Sequence, residues 1–260
     1  MQMKRAFNMS KYQFHTRYEK HIELENFGEE GQKKIQNAVV AIVGMGGLGC
    51  PASLFLAAAG FGRIILIDDD EVSISNLQRQ ILFSQQEVGH SKISCANKRL
   101  SEFNPDPRII THEVRVNENN IEQLLADAGM VLDCSDNFDT RYLLNEYCVK
   151  RKKILISGAV NLFDGQVYLI KNTSTLPCYK CLFPNRDETN KMLSCVDSPV
   201  FGPLVGIIGT MMAGEAIKEI VGIGPSLAGS FLSYSNLRGK LDYISFQKDS
   251  DCDVCNKKCS

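Results

Sequence analysis

The segment running from Val39 to Gly49 constrains this chain more than any other. A β-branched apolar run, Val39 to Val43, leads directly into Gly44-Met45-Gly46-Gly47-Leu48-Gly49. A short apolar run that stops on glycine reads as a buried strand. The glycines at 44, 46 and 49 sit where a strand-to-helix turn needs a tight bend, close approach of a phosphate and close helix packing. Cys50 to Ala59 then reads as a helix of small residues, whose first-turn amides and positive dipole end favour phosphate. A second strand is expected over Arg63 to Ile67, ending in Asp68-Asp69-Asp70, where an acid is placed to bind ribose hydroxyls. A purely structural glycine turn shares the bare pattern, so the flanking strands and Asp68 carry the nucleotide reading.

The pattern continues downstream. Strands are expected near 108–116, 130–134 and 153–157, with helices over 92–103 and 140–151. Asn104-Pro105-Asp106-Pro107 stops the first of these helices. Beyond Val160 the character changes: Gly165 to Lys171 and Ser230 to Lys248 alternate and carry the turn Arg238-Gly239, as antiparallel strands do. Residues 11–36 read as an amphipathic helical arm. The expected fold is α/β, a Rossmann-like mixed sheet with a parallel nucleotide-binding half (37–160) and an antiparallel C-terminal half (161–260), joined to the arm (1–36) in one domain. A chain of 260 residues is long enough to bury such a core. With a net charge of −1 there is no bulk field for nucleic acid or an anionic membrane. The apolar stretch from Val200 to Ile223 is broken by glycines and by Glu215, Lys218 and Glu219, so a core helix is expected rather than a membrane span. Met1 to Arg5 lacks the apolar core of a secretory signal, and a cytoplasmic location is the expectation.

Ten cysteines are many for a cytosolic enzyme unless some bind metal. Cys178-Tyr179-Lys180-Cys181 and Cys252-Asp253-Val254-Cys255 are two C-x-x-C pairs, each able to bring two thiolates to one ion. A redox motif of this kind occurs singly, so a tetrahedral four-cysteine zinc site is expected, structural because four thiolates leave no open position. It would pin the C-terminal tail to the middle of the chain, with Cys259 close enough in sequence to compete. Cys50, Cys95, Cys134 and Cys148 sit in apolar or helical contexts and read as buried fillers.

A second polar motif follows the ribose acid: Ser75-Asn76-Leu77-Gln78-Arg79-Gln80 and then Lys92. Arg79 offers a planar charged fork and Lys92 a point charge, both suited to a triphosphate. Asp136-Asn137 follows a strand end and so lies on the carboxyl edge of the sheet, where ligands bind. A carboxylate facing phosphate needs a counterion, and Mg²⁺ bound by one or two carboxylates plus phosphate oxygens supplies it. The plainer alternatives are that Asp136 caps the next helix and that Arg79 pairs with the acids at 68–71.

Taken together, Arg17-Tyr18, the loop 44–49, Asp68 to Asp70, Ser75 to Gln80, Lys92, Asp133-Cys134-Ser135-Asp136-Asn137 and both C-x-x-C pairs resemble the ThiF/MoeB/HesA family, bacterial relatives of ubiquitin-activating enzymes. The resemblance spans about residues 11 to 256, in the family's order. It implies adenylation of the C-terminal glycine of a small ubiquitin-like sulfur carrier ending in Gly-Gly, using Mg-ATP and releasing pyrophosphate. The implied nucleotide site comprises Gly44, Gly46, Gly47, Gly49, Asp68, Asp70, Ser75, Asn76, Leu77, Gln78, Arg79, Lys92, Asp136 and Asn137. Within it Gly47 and Asp68 contact the nucleotide, Asn76, Arg79 and Lys92 hold phosphates, and Asp136 serves magnesium. A homodimer with structural zinc is likewise implied. Arg79, Lys92 and Asp136 are the candidate catalytic residues, joined by Cys195, which falls where the family has a thiol in a crossover segment.

Two departures stand out. The family's Arg-Tyr-x-Arg-Gln pattern, whose second arginine reaches the neighbouring subunit's ATP, reads Arg17-Tyr18-Glu19-Lys20-His21 here. Lys20 keeps the charge and loses the fork. The chain also stops soon after Cys255 with no appended sulfurtransferase domain, so a separate sulfur donor is expected. The branch stays open: Asn76 to Phe83 reads like the thiamine enzyme, and Ser194-Cys195-Val196-Asp197 like the molybdopterin one. Two other classes compete, an NAD(P)-dependent oxidoreductase on the same cradle and a non-catalytic scaffold. The first leaves Asn76, Arg79, Lys92 and Asp136 without a task; the second rests on Lys20.

Overall fold

In a computed structural model, residues 11–171, 175–185 and 199–256 are described, the first five by backbone alone. Along the chain lie α1 (Lys11–Ile22), α2 (Gly28–Asn37), β1 (Val39–Val43), α3 (Gly49–Ala59), β2 (Arg63–Ile67), α4 (Lys92–Phe103), β3 (Arg108–His112), α5 (Ile121–Leu125), β4 (Met130–Asp133) and α6 (Phe138–Arg151). They are followed by β5 (Ile154–Asn161), β6 (Asp164–Ile170), α7 (Tyr179–Leu182), α8 (Gly202–Val221), β7 (Ser230–Ser235) and β8 (Lys240–Ser245). The strands form one sheet in the order β3-β2-β1-β4-β5-β6-β7-β8. Pairing is parallel from β3 through β5 and antiparallel from β5 through β8, the mixed sheet expected from the change of pattern near Val160.

Alternation along the strands divides the core between two faces, because successive side chains leave a strand on opposite sides. Val40, Ile42, Ile64, Leu66, Met130 and Leu132 pack with residues of α2, α3, α4 and α8 on one face. Ala41, Val43, Ile65, Ile67 and Val131 pack with α5, α6 and α7 on the other. The helix α8 lies very close to the start of α3: a Cβ at Gly209 would stand 2.4 Å from the Leu48 carbonyl oxygen. The apolar stretch 200–223 is thus a core helix, and among the described residues no helix is long and apolar enough to cross a membrane.

Several boundaries differ from the sequence expectation. The strand expected over 108–116 stops at His112, and an asparagine-rich turn replaces its end: Asn117 N–H donates to Asn120 Oδ1 at 2.8 Å. The short helix α5 follows that turn and had no periodic signal of its own. The strand expected over 153–157 runs on to Asn161, because it becomes one arm of the β5–β6 hairpin. The strand near 130–134 ends at Asp133, and α6 begins at Phe138 rather than 140.

The chain order reverses across β1. The crossover through α3 leads to β2 on one side, while β4 returns to the other side of β1. Such a switch point leaves a crevice at the carboxyl ends of β1 and β4, the place where open α/β sheets take ligands.

Candidate functional site

A cleft of about 570 Å³ opens at that switch point. Gly44 makes it possible. Its φ is +95°, and a Cβ there would lie 2.7 Å from the Cys134 carbonyl oxygen, so the exits of β1 and β4 touch only because no side chain intervenes. A Cβ at Gly49 would come within 2.0 Å of the Gly44 oxygen, which is why the turn closes on glycine at both ends. The helix α3 starts with no side-chain cap at Leu48, leaving its first-turn amides to an incoming acceptor. Gly44, Gly46 and Gly47 line the cleft.

The acids after β2 brace this turn. Asp68 Oδ2 accepts the Met45 N–H at 2.5 Å and Oδ1 accepts the Asp70 N–H at 2.8 Å. Burial pushes the Asp68 carboxyl up, opposed by Lys92 and the two backbone amides. Lys92, the first residue of α4, is 4% exposed and places Nζ 2.7 Å from Asp70 Oδ2, so a buried ammonium is fixed at the cleft by a mostly exposed carboxylate. Arg79 donates to the Ser75 carbonyl at 3.1 Å and makes no ion pair with the acids at 68–71 among the described residues. The plainer alternative, that it pairs with them, is not what the structure shows, and Asp70 is taken by Lys92 instead.

Gln78, Arg79 and Gln80 line the cleft, whereas Ser75, Asn76 and Leu77 are not among its lining residues. They build the turn: the Ser75 oxygen holds Arg79, the Asn76 oxygen accepts the Arg79 and Gln80 amides at 3.0 and 2.9 Å, and Leu77 packs on the core. Gln80 is buried, and its Oε1 has no hydrogen-bond partner among the described residues. A buried carboxamide oxygen left without a partner is costly.

On the opposite wall, Asn137 rather than Asp136 caps α6: Asn137 Oδ1 accepts the Thr140 N–H at 2.9 Å. Asp136 is exposed and lines the cleft, receiving among the described residues only a long 3.4 Å contact from Asn137 Nδ2. Beneath it lies a buried polar cluster in which the sequence reading had noted Asp133 and Ser135 as motif members but not their partners Ser157 and Arg141. Asp133 is fully buried and accepts from Ser135 N–H, Ser135 Oγ and Ser157 Oγ. Arg141 stands 3.9 Å from Asp133 Oδ2. One signal was available: an aspartate closing a buried strand requires a counter-charge, and α6 carries an arginine on its inner face.

The four paired cysteines converge as expected. Their Sγ atoms all lie within 4.8 Å of one another. Separations of 3.4 Å (Cys181–Cys255), 3.6 Å (Cys178–Cys252) and 4.0 Å (Cys178–Cys181) bracket the ~3.8 Å edge of a tetrahedron with Zn–S bonds of about 2.3 Å. Burial, aided by the neighbouring thiols, pushes Cys178 up to about 12. The cluster is braced by Lys180–Asp253 at 2.8 Å and by Asn145, which accepts the Tyr179 N–H at 3.0 Å. Cys50, Cys95, Cys134 and Cys148 are buried as expected, while Cys195 and Cys259 lie outside the described residues. Lys20 is largely exposed and pairs with Glu23 at 2.7 Å.

A glycine-turned cleft at the switch point, with an acid after β2, two cations and a carboxylate across from them, is the candidate site of this α/β fold, and the four thiols gather apart from it. The chain belongs to the ThiF family, whose profile matches residues 18–254. It is 40% identical over 243 residues to the sulfur carrier protein adenylyltransferase of Thermus thermophilus, covering 92% of this chain and 90% of that one. It is 44% identical to the adenylyltransferase and sulfurtransferase MOCS3 of Drosophila yakuba, covering 93% of this chain and only 53% of that protein. The chain therefore spans about half the length of the insect relatives. Among solved structures it resembles E. coli MccB with ATP at TM-score 0.78 and 26% identity, covering 87% of this chain and 69% of that one.

Proposed function

We propose that this chain adenylates the C-terminal glycine of a small ubiquitin-like sulfur carrier ending in Gly-Gly, using Mg-ATP and releasing pyrophosphate, in molybdopterin or thiamine biosynthesis. The observation that carries the reading is the convergence of Asp68, Arg79, Gln80, Lys92 and Asp136 on one cleft at the switch point. The residues suit a nucleotide: Gly44 and Gly49 let the backbone turn tightly, and Gly46 leaves the cleft free of a side chain, a Cβ there meeting only Gln80 Nε2 at 3.7 Å. The names of the Thermus and Drosophila relatives support the carrier as substrate.

The chemistry is electrostatic. A carrier carboxylate is ionised at neutral pH and needs no general base. Its oxygen attacks the α-phosphorus, a P–O bond forms, and the bond to the bridging oxygen breaks as pyrophosphate departs. Two anions must approach, so Arg79 and Lys92 offset their repulsion and hold the charge that builds on the leaving oxygen. Lys92 is pre-placed for this by Asp70, which limits the reorganisation left for the reaction. Asp136 would hold Mg²⁺, which supplies charge neutralisation on the phosphates when bound. The four cysteines would hold Zn²⁺ with a structural role, clipping residues 246–256 to α7. A homodimer belongs to the same reading.

Arg79→Ala and Asp136→Ala test the proposal. Both side chains are at the cleft surface, so each variant should keep the wild-type melting temperature and circular dichroism while carrier-AMP formation is abolished. Full activity in either would remove this mechanism.

A further inference from the structure

The turn from Cys134 to Asn137, which carries Asp136 to the cleft, is anchored by a closed ring of buried polar groups. Arg141 Nη2 donates to the Ser135 carbonyl at 2.9 Å, and Nη1 donates to Ser157 Oγ at 3.0 Å. Ser157 Oγ in turn donates to Asp133 Oδ2 at 2.6 Å. Asp133 Oδ1 takes both the N–H and the hydroxyl of Ser135, at 3.1 and 2.5 Å. Each group uses the donors and acceptors its chemistry allows: the single Ser157 proton goes to Asp133, while its lone pair receives Arg141. Arg141 and Asp133 are 6% and 0% exposed, and their charges cancel. The ring therefore acts on the site through geometry rather than through a net field.

Asp136 is the only carboxylate on this wall that reaches the cleft surface among the described residues, and its own side chain is held by one long contact. Its position is dictated by the backbone beneath it. We infer that Arg141 is a positioning residue for the adenylation reaction: by gripping the Ser135 carbonyl from the helix side while Asp133 grips the Ser135 amide and hydroxyl from the strand side, it fixes where the Asp136 carboxylate meets magnesium and phosphate. The inference rests on the adenylation reading above. Loss of groups that orient a metal ligand commonly costs about 10–100-fold in metal affinity, and misplacement by about 1 Å costs on the order of 100-fold in rate.

The test uses Arg141→Lys, which keeps the charge balance with Asp133 and removes the two-pronged grip. A second variant, Asp133→Asn with Arg141→Gln, removes both charges together, so no buried ion is left unpaired if the lysine fails to fold. Melting curves establish folding. Calorimetry then measures ATP affinity with EDTA and with magnesium, and ATP–pyrophosphate exchange gives the magnesium requirement. Expected are ATP affinity in EDTA within about 2-fold of wild type, a magnesium requirement raised about 10–100-fold, and a lower kcat with carrier KM unchanged. A folded variant with wild-type magnesium requirement and kcat overturns the inference. So does a fall in melting temperature with no change in either. Wild-type protein that binds no ATP would instead refute the adenylation reading, and the role of Arg141 in it.

Discussion

Gly44 and Gly46 stand two residues apart in the same loop, yet alanine at each should do opposite things. At Gly44, φ of +95° puts any L side chain in an unfavourable region, at about 1–2 kcal/mol. The new methyl would also lie 2.7 and 2.9 Å from the Cys134 carbonyl oxygen and carbon. Both are backbone atoms that cannot rotate away, and overlap of that kind adds about 1–3 kcal/mol. Gly44→Ala should therefore destabilise the fold by about 2–5 kcal/mol, lowering the melting temperature by about 4–20 °C in a domain of this size. At Gly46 the methyl meets only Gln80 Nε2, at 3.7 Å, an ordinary contact. Gly46→Ala should melt with the wild type, while the methyl takes up space in the cleft and weakens ATP binding at least about 10-fold. Differential scanning calorimetry with isothermal titration of ATP reads both effects. Equal melting temperatures for Gly44→Ala and the parent, or unchanged ATP affinity in Gly46→Ala, would refute the reasoning that the first glycine serves the backbone and the second the ligand.

Two further outcomes follow from the cysteines. Cys178→Ser should lose bound zinc and melt at lower temperature with ATP affinity nearly unchanged, since the thiol cluster lies apart from the cleft lining; metal content and stability equal to the parent would sink the four-cysteine site. Cys50 and Cys148 are pushed up to about 12, in each case by burial. At pH 8 both should resist iodoacetamide in the native protein and react once it is denatured. Because both folded thiols lie above the unfolded value of about 8.5, their contribution to stability is complete below that pH and declines from there toward 12. Rapid native alkylation, or stability that rises with pH across that window, would contradict their burial.

The parts of the fold that were legible in the sequence are those whose signal is local. The strand-turn-helix at 39–59 combined a β-branched run, obligatory glycines and small helix residues, and Lys92–Phe103 had helical spacing and a stop at Asn104. The two C-x-x-C pairs were legible because a tetrahedral thiolate site demands that spacing, although nothing local says that Cys252 meets Cys178 across 74 residues. What was hidden depends on contacts made only after folding. No pattern shows that Asp133, Ser157 and Arg141 would close a ring, because the strand β5 and the helix α6 meet through the sheet. Nor does the motif 75–80 reveal which members face the cleft: the turn points Gln78, Arg79 and Gln80 inward and spends Ser75 and Asn76 on holding its own backbone.

ATP–pyrophosphate isotope exchange, with purified carriers ending in Gly-Gly added one at a time, tests the central claim most directly. Exchange that appears with one carrier and needs its terminal carboxylate is the predicted result, and it would also decide between the molybdopterin and thiamine branches. Measurable ATP binding with no exchange for any carrier would contradict carrier adenylation and favour a scaffold that holds nucleotide without reacting it.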